Sequence, residues 1–459
     1  MTEPPAPESD LPEQMRVRRD KRARLLHEGR EPYPVGVPRT HTLTEVRAAY
    51  GHLGIGEETQ DVVGVAGRVV FIRNSGKLAF ATLQEGDGAR LQVMLSLAEV
   101  GEQQLAGWKA DVDLGDFAFV HGRVISSRRG ELSVLADEWA MASKALRPLP
   151  TMHNELSEES RVRQRYADLI VRQEARDMVR HRAAIVRAVR DTLHNRGFIE
   201  IETPVLQLVH GGAAARPFPT HLNAFDIDMS LRIALELYLK RAVVGGVDKV
   251  FEIGRIFRNE GVDSSHSPEF TMLEAYEAFG DQHTMADLIQ GVVLAAADAF
   301  GSRIIDTPAG QINLDGEWRW LPVYQGLSDA LGEEVSPATD AESLRAIATR
   351  REIPFHPEWE AEKLVVELFG ELVEPTLLQP TFVCDFPPSA QPLARPHRKD
   401  PRLIEAWDLI IGGTERGTAF SELIDPVVHR ERLTAQAPPA AAGTAEAMRP
   451  DRYLLGCRE

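Results

Sequence analysis

Cysteine is nearly absent from the 459-residue chain: only Cys384 and Cys457 occur, far apart and without a CxxC. That excludes a disulfide framework and argues against structural zinc. No run of roughly eighteen or more apolar residues appears, which argues against a membrane-spanning helix. The N-terminus, MTEPPAPESD, lacks the basic-then-apolar order of a signal peptide. It reads as a disordered tail over residues 1–14 of a cytoplasmic protein. Two nucleotide-binding signatures are missing as well: no G-x-x-x-x-G-K-[ST], and no G-x-G-x-x-G after a strand. A nucleotide, if used, is held in another way. The net charge of -17 argues against a protein coated in nucleic acid, but leaves room for a local basic patch.

Hydrophobic and charged fractions of 43% and 26% are those of a globular protein, and the length suggests about two or three domains. The stretch MRVRRDKRARLL, within an extension over 15–60, favours helix and carries Arg16, Arg18, Arg19, Lys21, Arg22 and Arg24. It is either a solvated face or a phosphate-contacting helix. From Asp61 to about Ala142 the pattern turns to period two. Five apolar runs are separated by Asn-Ser-Gly, Gly-Asp-Gly and Arg-Arg-Gly turn signals. This fits an OB-fold barrel over 61–145, with Phe80 and Arg68 or Arg73 as an aromatic platform and backbone contacts for unstacked bases. A barrel without a nucleic-acid ligand is the plainer alternative.

ALRPLP opens a linker over 146–160. Ile185, Val189 and Leu193 then repeat as on an amphipathic helix, Gly197 stands at its C-terminal end, and FIEIETPVL alternates as a strand until Pro204. Strands and helices intermix without βαβ spacing through 161–459, which predicts an α+β domain with an antiparallel sheet. VFEIGRIF and FTMLEAYEAF read as a hairpin around a turn rich in Asn, Gly, Asp and Ser. Such a hairpin gathers Arg258, Glu260, His266, Phe270, Glu274 and Tyr276. Arginine offers a planar fork to phosphate and phenylalanine a face to a purine. A charged hairpin with structural ion pairs is the alternative.

FRNEG followed by HSPEFTMLEAY resembles motif 2 of the class II aminoacyl-tRNA synthetases, in the wording of the bacterial lysyl-tRNA synthetases. GFIEIETPVL resembles motif 1, whose helix and strand form the dimer interface in that class. HGGAAARPFPTHLNAFDIDMSLRIALELYLKRAVVGG, ESRVRQRYADLIV, PTFVCDFP and GTAFSELIDP are similar to the same family, and the resemblance runs to about Met448. It implies ATP-dependent activation of L-lysine and its transfer to tRNA(Lys), by a homodimer. It implies that Arg258 binds the ATP α-phosphate and the lysine carboxylate. Glu260, His266 and Phe270 would then hold ATP, Phe270 on the adenine. Gly212, Glu236, Glu274, Tyr276, Phe420 and Glu422 would line the lysine site, Glu236 facing the α-amino group. Asp408 and Glu415 would hold magnesium, and Phe80 and Glu131 would meet anticodon bases. Asp408 and Glu415 cannot share one straight strand face at their spacing; a bulge or turn at Gly412-Gly413 would correct this. An acidic terminus with an apolar wall suits an ammonium on an aliphatic stem.

Some positions depart from the family. Leu235 stands where proline is usual, which is expected to loosen the turn beside Glu236. Thr418 and Ala419 replace a common Asn-Gly pair, shortening or losing a polar contact to substrate. Ser267 replaces a frequent asparagine. The family continues with a Gly-rich motif 3 carrying an arginine for the ATP phosphates, and no G-x-G-x-D-R occurs here. Losing one preorganised donor costs about 3 kcal/mol. The expectation is strongly reduced adenylation, with two origins left open. One is a shortened or frame-shifted product of an active enzyme; the other is an impaired paralogue that dimerises and binds tRNA. Transfer of lysine to a lipid or protein is a third, weaker reading.

Overall fold

The computed structural model describes residues 11–150, 156–213, 215–263, 266–391 and 393–432. Most of the expected N-terminal tail, part of the linker and the stretch around Met448 lie outside the described residues. Two compact units are present, 1–180 and 181–459.

The first unit opens with α1 (Glu13–His27) and α2 (Leu43–Tyr50). Thr42 and Glu45 close a reciprocal capping box at the start of α2. Then come β1 (Glu58–Ser75), β2 (Leu78–Gln84), β3 (Arg90–Ser96), α3 (Leu97–Asp111), β4 (Phe117–Ser126) and β5 (Leu132–Ser143). The strands close into a barrel in the order β1-β2-β3-β5-β4, with α3 between the third and fourth strands, as expected of an OB-fold. Alternate residues such as Val63, Val65, Leu83, Val93 and Val134 fill its interior.

Helix α1 corrects the reading of its cations. Arg18 is buried, and its guanidinium donates to the carbonyls of Leu114 (2.8 Å) and Ala145 (3.1 Å). Lys21 pairs with Asp113 at 2.7 Å, and Arg24 pairs with Asp111. Asp113 and the fully buried Asp116 also hold Lys144. Three of the six cations thus staple the helix to the barrel.

Three helices follow, α4 (Glu158–Arg163), α5 (Arg165–Val171) and α6 (Gln173–Asn195), the last crossing the boundary between units. The second unit continues with β6 (Ile199–Glu200), β7 (Leu206–Gln207), β8 (Pro219–Leu222), β9 (Ile227–Leu231), α7 (Glu236–Val244), β10 (Lys249–Phe257), β11 (Glu269–Glu277) and α8 (Gln282–Phe300). β12 (Ile304–Thr307), β13 (Gly310–Asn313), β14 (Arg319–Pro322), α9 (Val323–Leu331), α10 (Ala341–Arg350), α11 (Ala361–Leu372), β15 (Thr381–Cys384), β16 (Ala406–Ile410) and β17 (Glu415–Phe420) complete it. The strand expected over FIEIETPVL until Pro204 shortens to β6, where Ile199 and Glu200 pair parallel to Val250 and Phe251, while Leu206 in β7, beyond the proline, pairs with Leu231. β10 and β11 form an antiparallel ladder from Lys249↔Glu277 to Phe257↔Glu269. A second sheet runs β14-β15-β16-β17, antiparallel except for its first pair.

Candidate active site

The period-two face of β11 sorts its residues. Leu273 and Ala275 pack toward Leu193, Phe198 and Phe251. Phe270, Glu274 and Tyr276 therefore project from the opposite face. On that side the Leu235 backbone N–H donates to Glu274 at 3.0 Å, and the Tyr276 hydroxyl donates to it at 2.8 Å. Leu235 is fully buried. A proline there has no N–H to give, so the departure adds a donor to a carboxylate.

Glu236 opens α7. Gly212 presses on it with φ 87°, and a Cβ there would stand 2.9 Å from the Glu236 Cβ. Only glycine fits that close approach at that φ. One turn along α7 lies Lys240, 3% exposed. Its ammonium donates to Glu236 and reaches Glu422 at 3.0 Å. It also stands 5.1 Å from the Phe420 ring centroid and 5.7 Å from that of Tyr276. Glu422 follows β17 and is fixed by a bridge to Ala394. Burial and the Glu236 charge push the Glu274 carboxyl up to about 7, against the opposing Leu235 N–H, Tyr276 hydroxyl and Lys240. Burial also raises the Tyr276 hydroxyl, with Glu274 and Glu236 adding to it. At Lys240 burial acts downward, but Glu236 and Glu422 outweigh it and the ammonium is held charged.

Arg258 ends β10. Its backbone N–H donates to Pro268 O at 2.9 Å, its Nε donates to Ile233 O at 3.3 Å, and its guanidinium carbon lies 5.3 Å from the Phe270 ring centroid. Glu260 and His266 lie on the exposed turn. Glu260 accepts from the Arg216 backbone N–H at 3.3 Å, and His266 meets Asp263 at 2.8 Å.

Asp408 and Glu415 sit on β16 and β17, joined by a tight turn in which Gly412 and Gly413 have φ 69° and 68°. A Cβ on Gly413 would stand 2.9 Å from Pro375 O. The turn at this glycine pair brings the two carboxylates together, as their spacing required. Burial raises both; Glu415 and Glu374 add to Asp408, and Glu374 adds to Glu415 while Arg258 opposes. Thr418 stands opposite Asp408 on the β16–β17 ladder and acts against that rise. Among the described residues, no group of three or more His, Cys, Asp or Glu is arranged to hold a metal ion. Two mutually repelling carboxylates without a complete cage suit a cation that takes its remaining ligands from phosphate and water.

Two family models match the chain. One is described as OB-fold nucleic acid binding domain and covers residues 63–142; the other, tRNA synthetases class II (D, K and N), covers residues 157–455. The chain belongs to the class II tRNA synthetases. A lysine–tRNA ligase of Mycolicibacterium gilvum is 59% identical to this synthetase across 100% of the chain and 92% of its own length. One from Mycobacterium bovis BCG is 58% identical across 98% of the chain and 91% of its own length. A lysylphosphatidylglycerol biosynthesis bifunctional protein of Mycobacterium ulcerans is 45% identical across 99% of the chain, but over only 41% of its own length. ATP use follows from membership of the family.

Within the synthetase, Gly212, Glu236, Glu274, Tyr276, Phe420 and Glu422 come together in one acidic cluster around Lys240. Arg258 and Phe270 pair beside it, and Asp408 and Glu415 pair on the second sheet. Glu260 and His266 instead engage neighbours on their own turn and segment 216. In the barrel, Arg73 stands 5.6 Å from the Phe80 ring centroid, whereas Arg68 donates to Gly115 O and lies over Phe117. Arg73 is thus the partner of Phe80. Glu131 meets Arg47 at 3.3 Å just before β5, with β3 between that strand and β2. Sequence reasoning missed Lys240 and Glu374. The first looks like any helix-surface lysine, and the second carries no motif; only the fold puts them beside the named carboxylates.

Proposed function

We propose that this chain activates L-lysine with ATP to lysyl-adenylate and transfers the lysyl group to tRNA(Lys). The observation that carries this reading is the pocket of Glu236, Glu274 and Glu422, walled by Tyr276 and Phe420, next to Arg258. Glu274 offers a carboxylate bonded only to neutral donors, suited to the substrate ε-ammonium. Glu236, at the Gly212 approach, takes the α-ammonium. Arg258 holds the lysine carboxylate and the α-phosphate, with the Phe270 face against the adenine and Glu260 and His266 at the turn bracketing ATP. A lysine carboxylate oxygen attacks the α-phosphorus in line; the bond to pyrophosphate breaks as the new P–O bond forms. Arg258 stabilises the charge that develops on the phosphoryl oxygens. Asp408 and Glu415 would hold magnesium, which supplies further neutralisation of phosphate charge. In the second step a ribose hydroxyl at the tRNA 3′ end attacks the lysyl carbonyl and AMP leaves.

The barrel, over 61–145, reads the anticodon through Phe80, Arg73 and Glu131, and the unit over 161–459 is catalytic. The protein acts as a cytoplasmic homodimer. The relatives do not favour the alternative of an impaired tRNA-binding paralogue. Lysine-dependent ATP–pyrophosphate exchange is the test. Exchange with lysine, and little with aspartate or asparagine, is expected; exchange driven by aspartate and not lysine would refute the pocket assignment.

A further inference from the structure

The pocket proposed for lysine already contains a lysine of the protein. Lys240 projects its ammonium between Glu236 and Glu422, with the rings of Tyr276 and Phe420 beside it. A buried lysine needs one carboxylate to offset its desolvation. This one touches two of the three pocket acids and lies against both pocket rings. The third acid, Glu274, is left with the Leu235 N–H and the Tyr276 hydroxyl as its bonded partners.

We propose that Lys240 is a positioning and specificity-determining residue for the amino-acid substrate, setting the net charge of the pocket to match free lysine. With lysine bound and Glu274 ionised, three carboxylates less one ammonium leave two negative charges. Free lysine brings two ammonium groups to those charges and one carboxylate to Arg258. Every charge then has a counterpart in a site where an unmatched one is costly. Lys240 also holds Glu236 and Glu422 in place while the pocket is empty. This rests on the functional reading above.

The groups facing Lys240 are Glu236 from α7, Tyr276 and Glu274 from β11, and Glu422 beyond β17. If Lys240 is replaced by the similarly long but neutral methionine, Glu236 and Glu422 lose their common cation. Two carboxylates at one site without a cation disfavour each other's ionisation, so the variant is expected to share a proton between them. At low pH that proton substitutes for the missing ammonium and the charge count is preserved. As pH rises the proton is lost, and the pocket carries one negative charge too many.

The experiment compares wild type and Lys240→Met in lysine-dependent pyrophosphate exchange from pH 6.5 to 8.5, with lysine binding by calorimetry in buffers of different ionisation enthalpy. The expected result is a ratio of variant to wild-type lysine KM that grows with pH, by up to about tenfold per unit, while kcat changes less. Lysine binding to the variant at pH 8.5 takes up protons that wild-type binding does not. A KM ratio independent of pH, with unchanged proton exchange, would reduce Lys240 to a packing residue and overturn the proposal. If Lys240→Met does not fold, Lys240→Gln, which keeps a donor for Glu236 without the charge, gives the same readouts. Wild type without lysine-dependent exchange would fail the functional reading itself, a result separable from any comparison of the variants.

Discussion

Glu274 concentrates the site's conflict between stability and binding in a single residue. The folded protein holds its proton up to about 7, chiefly through burial, against an ordinary value of 4.5. Between those values the folded chain binds more protons than the unfolded one, so stability falls as pH rises. The contribution is fully present below 4.5 and lost as pH passes 7. Its size is on the order of 3 kcal/mol. Glu274→Gln is therefore expected to raise the melting temperature of the ligand-free protein at pH 8 and to leave it nearly unchanged at pH 4.5. Lysine binding responds in the opposite sense, because an ammonium wants the ionised carboxylate. Wild-type lysine KM should climb as pH drops below 7. In Glu274→Gln it should be raised about 100-fold or more, from loss of one member of a buried charge pair, with no such rise left. A lower melting temperature for the variant at pH 8 would contradict the account of the shift. The placement of Glu274 and Tyr276 was legible because period two puts them on one strand face and a hairpin fixes that face. Lys240 was not legible: helical spacing places it one turn from Glu236, but nothing in a lysine's neighbours along the chain says that it turns inward.

At the scale of elements, α1 shows where charge counting fails. Its six cations within one helix suggested a phosphate-binding face, yet Arg18, Lys21 and Arg24 are committed to barrel carbonyls and to Asp113 and Asp111. Their partners lie far along the chain, so no local pattern announces them. The barrel strands, by contrast, were readable almost residue by residue, since alternation and turn residues are both local. Removing Arg18 leaves the part-buried Leu114 and Ala145 carbonyls without that donor, at about 1 kcal/mol, the low end of the range for an unsatisfied group. Arg18→Met should lower the melting temperature while leaving the salt dependence of tRNA binding unchanged. Arg16 is exposed on the same helix. Arg16→Ala should do the reverse, reducing the slope of log affinity against log salt with little effect on stability. A reduced salt slope for Arg18→Met would restore the phosphate-contact reading of that residue.

For the whole molecule, the segment resembling motif 1 leaves apolar side chains in water. Ile199, Leu206 and Leu208 are 56%, 44% and 64% exposed, and Phe225 on the β8–β9 turn is 75% exposed. Exposed apolar side chains of this kind are candidates for an interaction surface, and the proposed dimer would cover them with a second copy. The same segment is tied to the site. Thr203 donates its N–H and hydroxyl to Glu252, at 3.0 and 2.6 Å, and Arg232 bonds to both residues. Glu252 is the cross-strand partner of Glu274. Thr203 and Glu252 thus tie the segment that precedes Leu208 to the β10–β11 ladder that carries Glu274. Wild type is expected to sediment as a dimer. Leu208→Glu should shift it toward monomer, because burying the new carboxylate at an apolar interface carries a cost of several kcal/mol. The monomer should fold, judged by an unchanged melting transition at low protein concentration, yet have a raised lysine KM. A Leu208→Glu chain that remains dimeric would place the interface elsewhere. A monomer with wild-type lysine KM would show that the Thr203–Glu252 connection carries no coupling between interface and pocket.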